Sequence, residues 1–285
     1  MLRTLALALL ATLIGGPLAA PAAAFGIGLQ PTTVEMEIAP GERKRQVINI
    51  ANVHKEKTIS LTMGLADWNL DENGQIRLFP PGQDPASSAE WARFSPAFVT
   101  LEPGESEQIV VDLAAPARVP RAGDHRFALL ASTILPEERD QGSGVWKRYQ
   151  IASLFYMTTG DAESLPLVTS SGLARDEDGV PMLGLRIENE GNAHARLRGS
   201  VEIETGRGEV ATRPIENLVV LDQSARSYTV RLPAELGENP SISVKLENTF
   251  APQVQSGLIE LEPHTVSAPL RKASLEPAED GGGQP

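Results

Sequence analysis

Few residues in this chain have the type and spacing that chemistry needs. The four histidines, His54, His125, His194 and His264, are spread one to a region, and none pairs with another at metal-ligand spacing. Asp124 and His125 are neighbours in "GDHRF", and serines abound, so the raw material of a hydrolytic triad exists. Adjacent side chains of a strand point to opposite faces, which separates Asp124 from His125. The sequence shows no nucleophile elbow and no phosphate-binding glycine loop. It therefore assigns no catalytic residue, no cofactor and no metal ligand, and reads as non-enzymatic.

"DWNLDENGQI" partly imitates a calcium loop, since Asn69, Asp71 and Asn73 alternate ahead of Gly74. The closing bidentate acid is missing, because Pro80 stands at the twelfth position from Asn69. A hairpin turn closed by Asn-Gly accounts for the same residues. "RDEDG", ending at Gly179, is a turn of the same kind with fewer candidate ligands. Trp68, Trp91 and Trp146 each lie beside a strand end, where packing of the ring is the first explanation. Trp146 also flanks Lys147 and Arg148, which admits a place in a binding groove.

The elements that must carry these residues are strands. The N-terminus begins with Arg3, an apolar run from Leu5 to Ile14, and Ala22 to Ala24, the pattern of a cleaved secretory signal over residues 1–24. No cysteine exists for lipid attachment or for disulfides, so an exported product holds by packing alone. About 260 residues remain, enough for two domains. The formal charge of -12 argues against nucleic acid and anionic membrane as partners. After the leader no apolar run is long enough to span a membrane. The 25 glycines and 22 prolines are scattered at turns, as many short strands require.

Alternation is clear along the chain. Val34, Met36 and Ile38 share one face, and Glu35 and Glu37 the other. Ile59, Leu61, Met63 and Leu65 alternate with polar or small partners. About seven or eight strands are expected between Phe25 and Tyr156, at the spacing of a sandwich. "TTGDAESLP" reads as a linker. A further six or seven strands, roughly, follow to Pro263, with Leu183, Leu185 and Ile187 on one face. The expected fold is all-β, two immunoglobulin-like sandwiches in tandem, at residues 25–160 and 161–263. Residues 264–285, acidic and rich in glycine and proline, read as a disordered tail.

The order of features in the first half is specific. "INIANV" is followed by "ISLTMGLADW", then "FSPAFVTLEPGE", "VPRAGDHRFALLASTILP" and "IASLFYMTTG". This resembles the N-terminal domain of the periplasmic pilus-assembly chaperone family, over nearly half of the chain. The second half is similar to that family only in size, position and strand pattern. The resemblance implies a two-domain periplasmic chaperone that lends the last strand of its first domain to an incomplete secreted subunit. A pilus subunit and an outer-membrane usher are the implied partners. Strand lending satisfies unpaired backbone groups and fills an open apolar groove.

The implied donor strand is Val145 to Tyr156, with Val145, Lys147, Arg148, Tyr149, Ile151, Ser153 and Phe155 as its partner-binding residues. The departures are specific. Ser153 stands where the family places a basic residue, and the first strand offers Gln30, Pro31, Thr32 and Thr33 where it places an arginine. Lys147 interrupts the apolar parity of Tyr149 and Ile151. These losses point to a divergent or repurposed member. The competing reading is a structural or adhesive module of an envelope or extracellular assembly, which lends nothing.

Overall fold

The computed structural model describes residues 26–134, 147–237, 240–250, 259–266 and 271–272. The leader expected at 1–24, Val145 and Trp146 lie outside them. Ten strands form the first unit: β1 Ile27–Gln30, β2 Thr33–Glu37, β3 Arg43–Asn52, β4 Ile59–Leu70, β5 Ile76–Phe79, β6 Ala92–Ser95, β7 Phe98–Leu101, β8 Ser106–Ala114, β9 Gly123–Ile134 and β10 Arg148–Thr159. Nine form the second: β11 Pro166–Arg175, β12 Pro181–Asn189, β13 Ala195–Glu204, β14 Val210–Val220, β15 Ser224–Arg231, β16 Ser241–Asn248, β17 Ile259–Glu260, β18 His264–Val266 and β19 Arg271–Lys272. A single 3-10 turn, Ala89–Trp91, is the one helical element among the described residues.

The first unit is a sandwich of a β1-β3-β8-β6 sheet on a β2-β10-β9-β4-β5 sheet, with β7 pairing β4. The second stacks β15-β12-β11-β19 on β14-β13-β16-β17, with β18 pairing β16. Each has its own apolar core, because alternate residues of facing sheets turn inward. Ile48, Ile50, Leu61, Ile109, Phe127 and Phe155 belong to the first core. Leu183, Leu185, Ile187, Leu197, Val201 and Ile242 belong to the second. The expected two-sandwich, all-β architecture is what the chain forms.

Two boundaries differ from the sequence reading. "TT" before Gly160 belongs to β10 and not to the linker, since Thr158 and Thr159 are buried and paired to β9. The second unit also extends past Pro263. His264–Val266 pairs antiparallel with β16, with Val266 buried in the core, and Arg271–Lys272 pairs with β11. Ser171 Oγ and His264 Nε2 lie 2.7 Å apart, which ties this last segment to β11.

The hairpin reading of "DENG" matches the structure. Asp71 Oδ1 accepts the backbone N–H groups of Asn73 and Gln75 at 3.0 and 2.9 Å, and Oδ2 accepts from Arg77. The N–H of Gln75 above all holds the Asp71 carboxyl below its ordinary value, against slight desolvation. Both oxygens are engaged in closing the turn. Among the described residues no group of three or more His, Cys, Asp or Glu could hold a metal ion.

Candidate partner-binding edge and interdomain seam

The first chain segment crosses between sheets. β1 pairs with β3 in one sheet, and three residues later β2 pairs parallel with β10 in the other. The β2 pairing covers only Leu154–Thr158 of β10. β9 pairs with the whole of β10, Arg148 to Thr159. The half of β10 from Arg148 to Ser153 therefore has β9 on one side and no described strand on the other.

Backbone directions along a strand alternate, which identifies the groups on that second side. Leu154 donates its N–H to Thr32 O at 2.9 Å, and Thr158 O accepts from Ile38. Even-numbered residues thus turn their backbone groups toward β2, and Gln150 and Ala152 turn theirs the same way, beyond its end. Ser153 marks the boundary. Its hydroxyl, fully buried, donates to Pro31 O at 2.7 Å and pins the point where the first segment departs.

The candidate residues do not form one surface. Lys147 and Arg148 are exposed at the start of β10. Tyr149 is half-buried, and Ile151 is half-buried against the first core. Ser153 and Phe155 are fully buried, and Phe155 stacks on Phe127 with centroids 4.4 Å apart. Phe155 also lies where β2 and β9 occupy both edges. On the opposite face, Gln150 and Arg148 border a groove of about 500 Å³ floored by Gly64, Thr62, Leu130 and Ser132.

Where the two sandwiches meet, charges from both are buried together. Asp222 of the second unit receives Arg121 Nη1 on Oδ2 at 3.0 Å and the Arg126 guanidinium on Oδ1. Arg126 also reaches Asp84 Oδ1 at 3.3 Å and Trp68 O, and its guanidinium lies 6.0 Å over the Trp68 ring. Asp84 is held in place by Asp67, whose Oδ2 accepts the N–H groups of Gln83 and Asp84. Trp68, Ala128 and Tyr156 of the first unit pack with Leu221 of the second in a small separate apolar cluster.

Beside this cluster, Asp124 of β9 meets the turn before β13. Its N–H donates to Asn192 O at 2.8 Å, and its Oδ2 accepts both the N–H and Nδ1 of His194, at 2.7 and 2.6 Å. Burial raises the Asp124 pKa, but the His194 charge and hydrogen bonds, with that of Thr158, outweigh it and hold the carboxyl below its ordinary value. At a third contact, Glu72 O of the β4–β5 hairpin accepts the N–H of Ser227, and Arg186 pairs with Glu72 at 3.3 Å.

Asp124 and His125 lie on opposite faces, as adjacent positions of a strand require. His125 lies against the Trp91 ring at 4.6 Å, and burial lowers its pKa. The partner of Asp124, however, is His194, seventy positions along the chain. Nothing in the local pattern signals that pairing, nor that of Arg126 with Asp222. An arginine and an aspartate inside an apolar strand, at "GDHRFALL", are the trace such a seam leaves in sequence.

No protein-family model matches the chain, and no curated protein matches it. Among solved structures, the chain is similar to the class 5 fimbriae chaperone CfaA at 12% identity and TM-score 0.42, covering 84% of this chain and 100% of that one. It is similar to the YadV chaperone at 12% identity and TM-score 0.44, covering 85% and 100%. It is similar to the E. coli chaperone DraB at 13% identity and TM-score 0.42, covering 83% and 95%. The fold stands on the strand order and pairing given above; superpositions at this level add nothing about partners.

Proposed function

We propose that the chain is a periplasmic chaperone-like protein that binds a secreted subunit by lending the edge of β10 between Arg148 and Ser153. The sequence resemblance makes a pilus subunit, passed on to an outer-membrane usher, the expected case. The observation that supports this reading is the end of β2 at Thr33, which leaves Gln150 and Ala152 with backbone groups facing no described strand. An edge of this kind templates an added strand. The lent segment is narrower than the sequence reading, because Phe155 is locked in the core. Within it, Tyr149 and Ile151 offer apolar surface on one face.

The alternation supplies a selective variant. Proline at position 150 removes an N–H that faces away from β9, so the β9 ladder keeps its bonds. The mature protein is isolated from periplasm with whatever it holds, and small secreted polypeptides are identified by mass. Gln150→Pro is expected to lower recovery of such a subunit about tenfold or more, as loss of one or two hydrogen bonds implies. Its thermal midpoint should stay near that of the parent. Undiminished recovery with Gln150→Pro would contradict strand lending.

One observation favours the second reading, a structural or adhesive module. The basic pair that the resemblance implies is missing, since Ser153 stands at one place and Gln30 to Thr33 at the other, and the seam cations Arg121, Arg126 and Arg196 are each engaged with a carboxylate of this chain. A periplasmic isolate in which neither form of the protein carries a subunit is the outcome that reading expects.

A further inference from the structure

His194 is the one histidine fully enclosed by both sandwiches. It belongs to the second unit, and its ring lies between Phe250, at 3.9 Å, and Tyr156 of β10, at 4.4 Å. Nδ1 is bonded to Asp124 Oδ2 of β9. Nε2 is buried without a hydrogen bond and faces Glu35 Oε1 of β2 at 3.6 Å. One imidazole ring thus spans two carboxylates of the first unit. A neutral ring carries one N–H and can satisfy one of them; only the imidazolium donates toward both.

The surrounding charges come from every packed element. β9 supplies Asp124, whose other oxygen accepts the Thr158 hydroxyl, and the Arg121 guanidinium lies on Asp124 O. β2 supplies Glu35. β13 supplies Arg196, which pairs with Glu35 and lies 5.9 Å over the Tyr156 ring. β10 supplies the Tyr156 phenol, whose pKa burial pushes far up, so that it stays neutral. Arg196 balances one carboxylate, and the second is left for His194.

We propose that His194 is a proton-operated clamp between the two sandwiches: with both ring nitrogens protonated it ties β9 and β2 to β13, and loss of the Nε2 proton loosens the seam. The clamp stands independently of strand lending.

The direction of the titration agrees with the geometry. Burial lowers the His194 pKa, but Asp124 and Glu35 together outweigh it and the net shift is upward. A histidine raised on folding stabilises fully below its unfolded value and loses that contribution as pH rises through the folded value. Asp124 and Glu35 are both lowered, despite burial, and contribute above their unfolded values. The seam is therefore tightest at roughly pH 5 to 6.5 and loosens on the alkaline side.

The chain has no cysteine, so a spin-label pair at Glu102→Cys and Glu209→Cys, one exposed site on each sandwich, reports the distance between them without interference. From pH 5 to 10 the distribution is expected to broaden in a one-proton step centred above the ordinary histidine value. In His194→Gln, which can donate but not titrate, the step should vanish, while His264→Gln keeps it. A step that survives in His194→Gln, or a parent protein with none, overturns the clamp. Should His194→Gln fail to fold, nitrogen NMR of the parent decides: both ring nitrogens of His194 protonated at pH 6 is the expected result, and a neutral ring there sinks the idea. If the distance step appears while subunit recovery is indifferent to Gln150→Pro, the clamp holds and strand lending fails.

Discussion

Replacing Asp222 with alanine is expected to lower stability by about 3–5 kcal/mol, the usual loss when one member of a buried ion pair is removed. Asp222 and Arg126 have side chains only 6% and 8% exposed, so water cannot take over the role of the lost partner. Arg126 would keep only Asp84 at 3.3 Å and the Trp68 carbonyl, and Arg121 would lose its carboxylate. Most of the cost is the stranded guanidinium and not the worth of the pair itself. Adding Arg126→Met to Asp222→Ala should therefore recover a substantial part of the loss. Denaturant unfolding of the two single variants and the double variant measures this coupling directly. A single-variant loss below about 1 kcal/mol would show that the seam charges are solvated in solution.

Gly123→Ala is expected to cost about 2–6 kcal/mol and to separate the unfolding of the two sandwiches. Gly123 has φ +98, a conformation that side chains rarely adopt. A methyl group there would lie 2.1 Å from Asn192 O and 2.8 Å from Asn192 C, and backbone cannot yield as a side-chain tip can. Backbone strain and overpacking each cost about 1–3 kcal/mol. Relief comes by moving the second sandwich away, which breaks the Asp124 N–H bond to Asn192 O and the Asp124–His194 bonds. Each core is complete in itself, so calorimetry should show two transitions in Gly123→Ala where the parent shows one. A single transition at the parent's temperature would mean that the close approach at Gly123 does not hold the units together.

Period-two alternation made the strands legible. Val34, Met36 and Ile38 pack on the first core, and Leu183, Leu185 and Ile187 in the second, as their parity predicts. Boundaries were less legible. Thr158 and Thr159 look like linker residues in composition, yet Thr158 donates its hydroxyl to Asp124, a tertiary reason that no window of sequence contains. Residues 264–285 read as a tail because they lack aromatics and end in acid, glycine and proline, yet His264–Val266 pairs with β16.

For the candidate site, the sequence pattern singles out β10 and the polar Ser153 within it. It could not tell which half of β10 is covered. That depends on how far β2 runs alongside it, a parallel contact between residues more than a hundred positions apart. Side-chain alternation does not reveal that the backbone of Gln150 and Ala152 meets no described strand on the side away from β9. The seam was illegible for a similar reason. Glu35, Asp124, His194, Arg196 and Asp222 are ordinary polar residues until the fold brings them together.

Amide hydrogen exchange at Gln150 and Ala152, measured on the protein alone and with its co-isolated subunit, tests strand lending most directly. In the free protein both N–H groups should exchange quickly, while those of Ile151 and Ser153, which face β9, stay protected. With the subunit bound, protection should appear at Gln150 and Ala152. A subunit that binds and leaves those two amides as fast as before would show that β10 lends no strand.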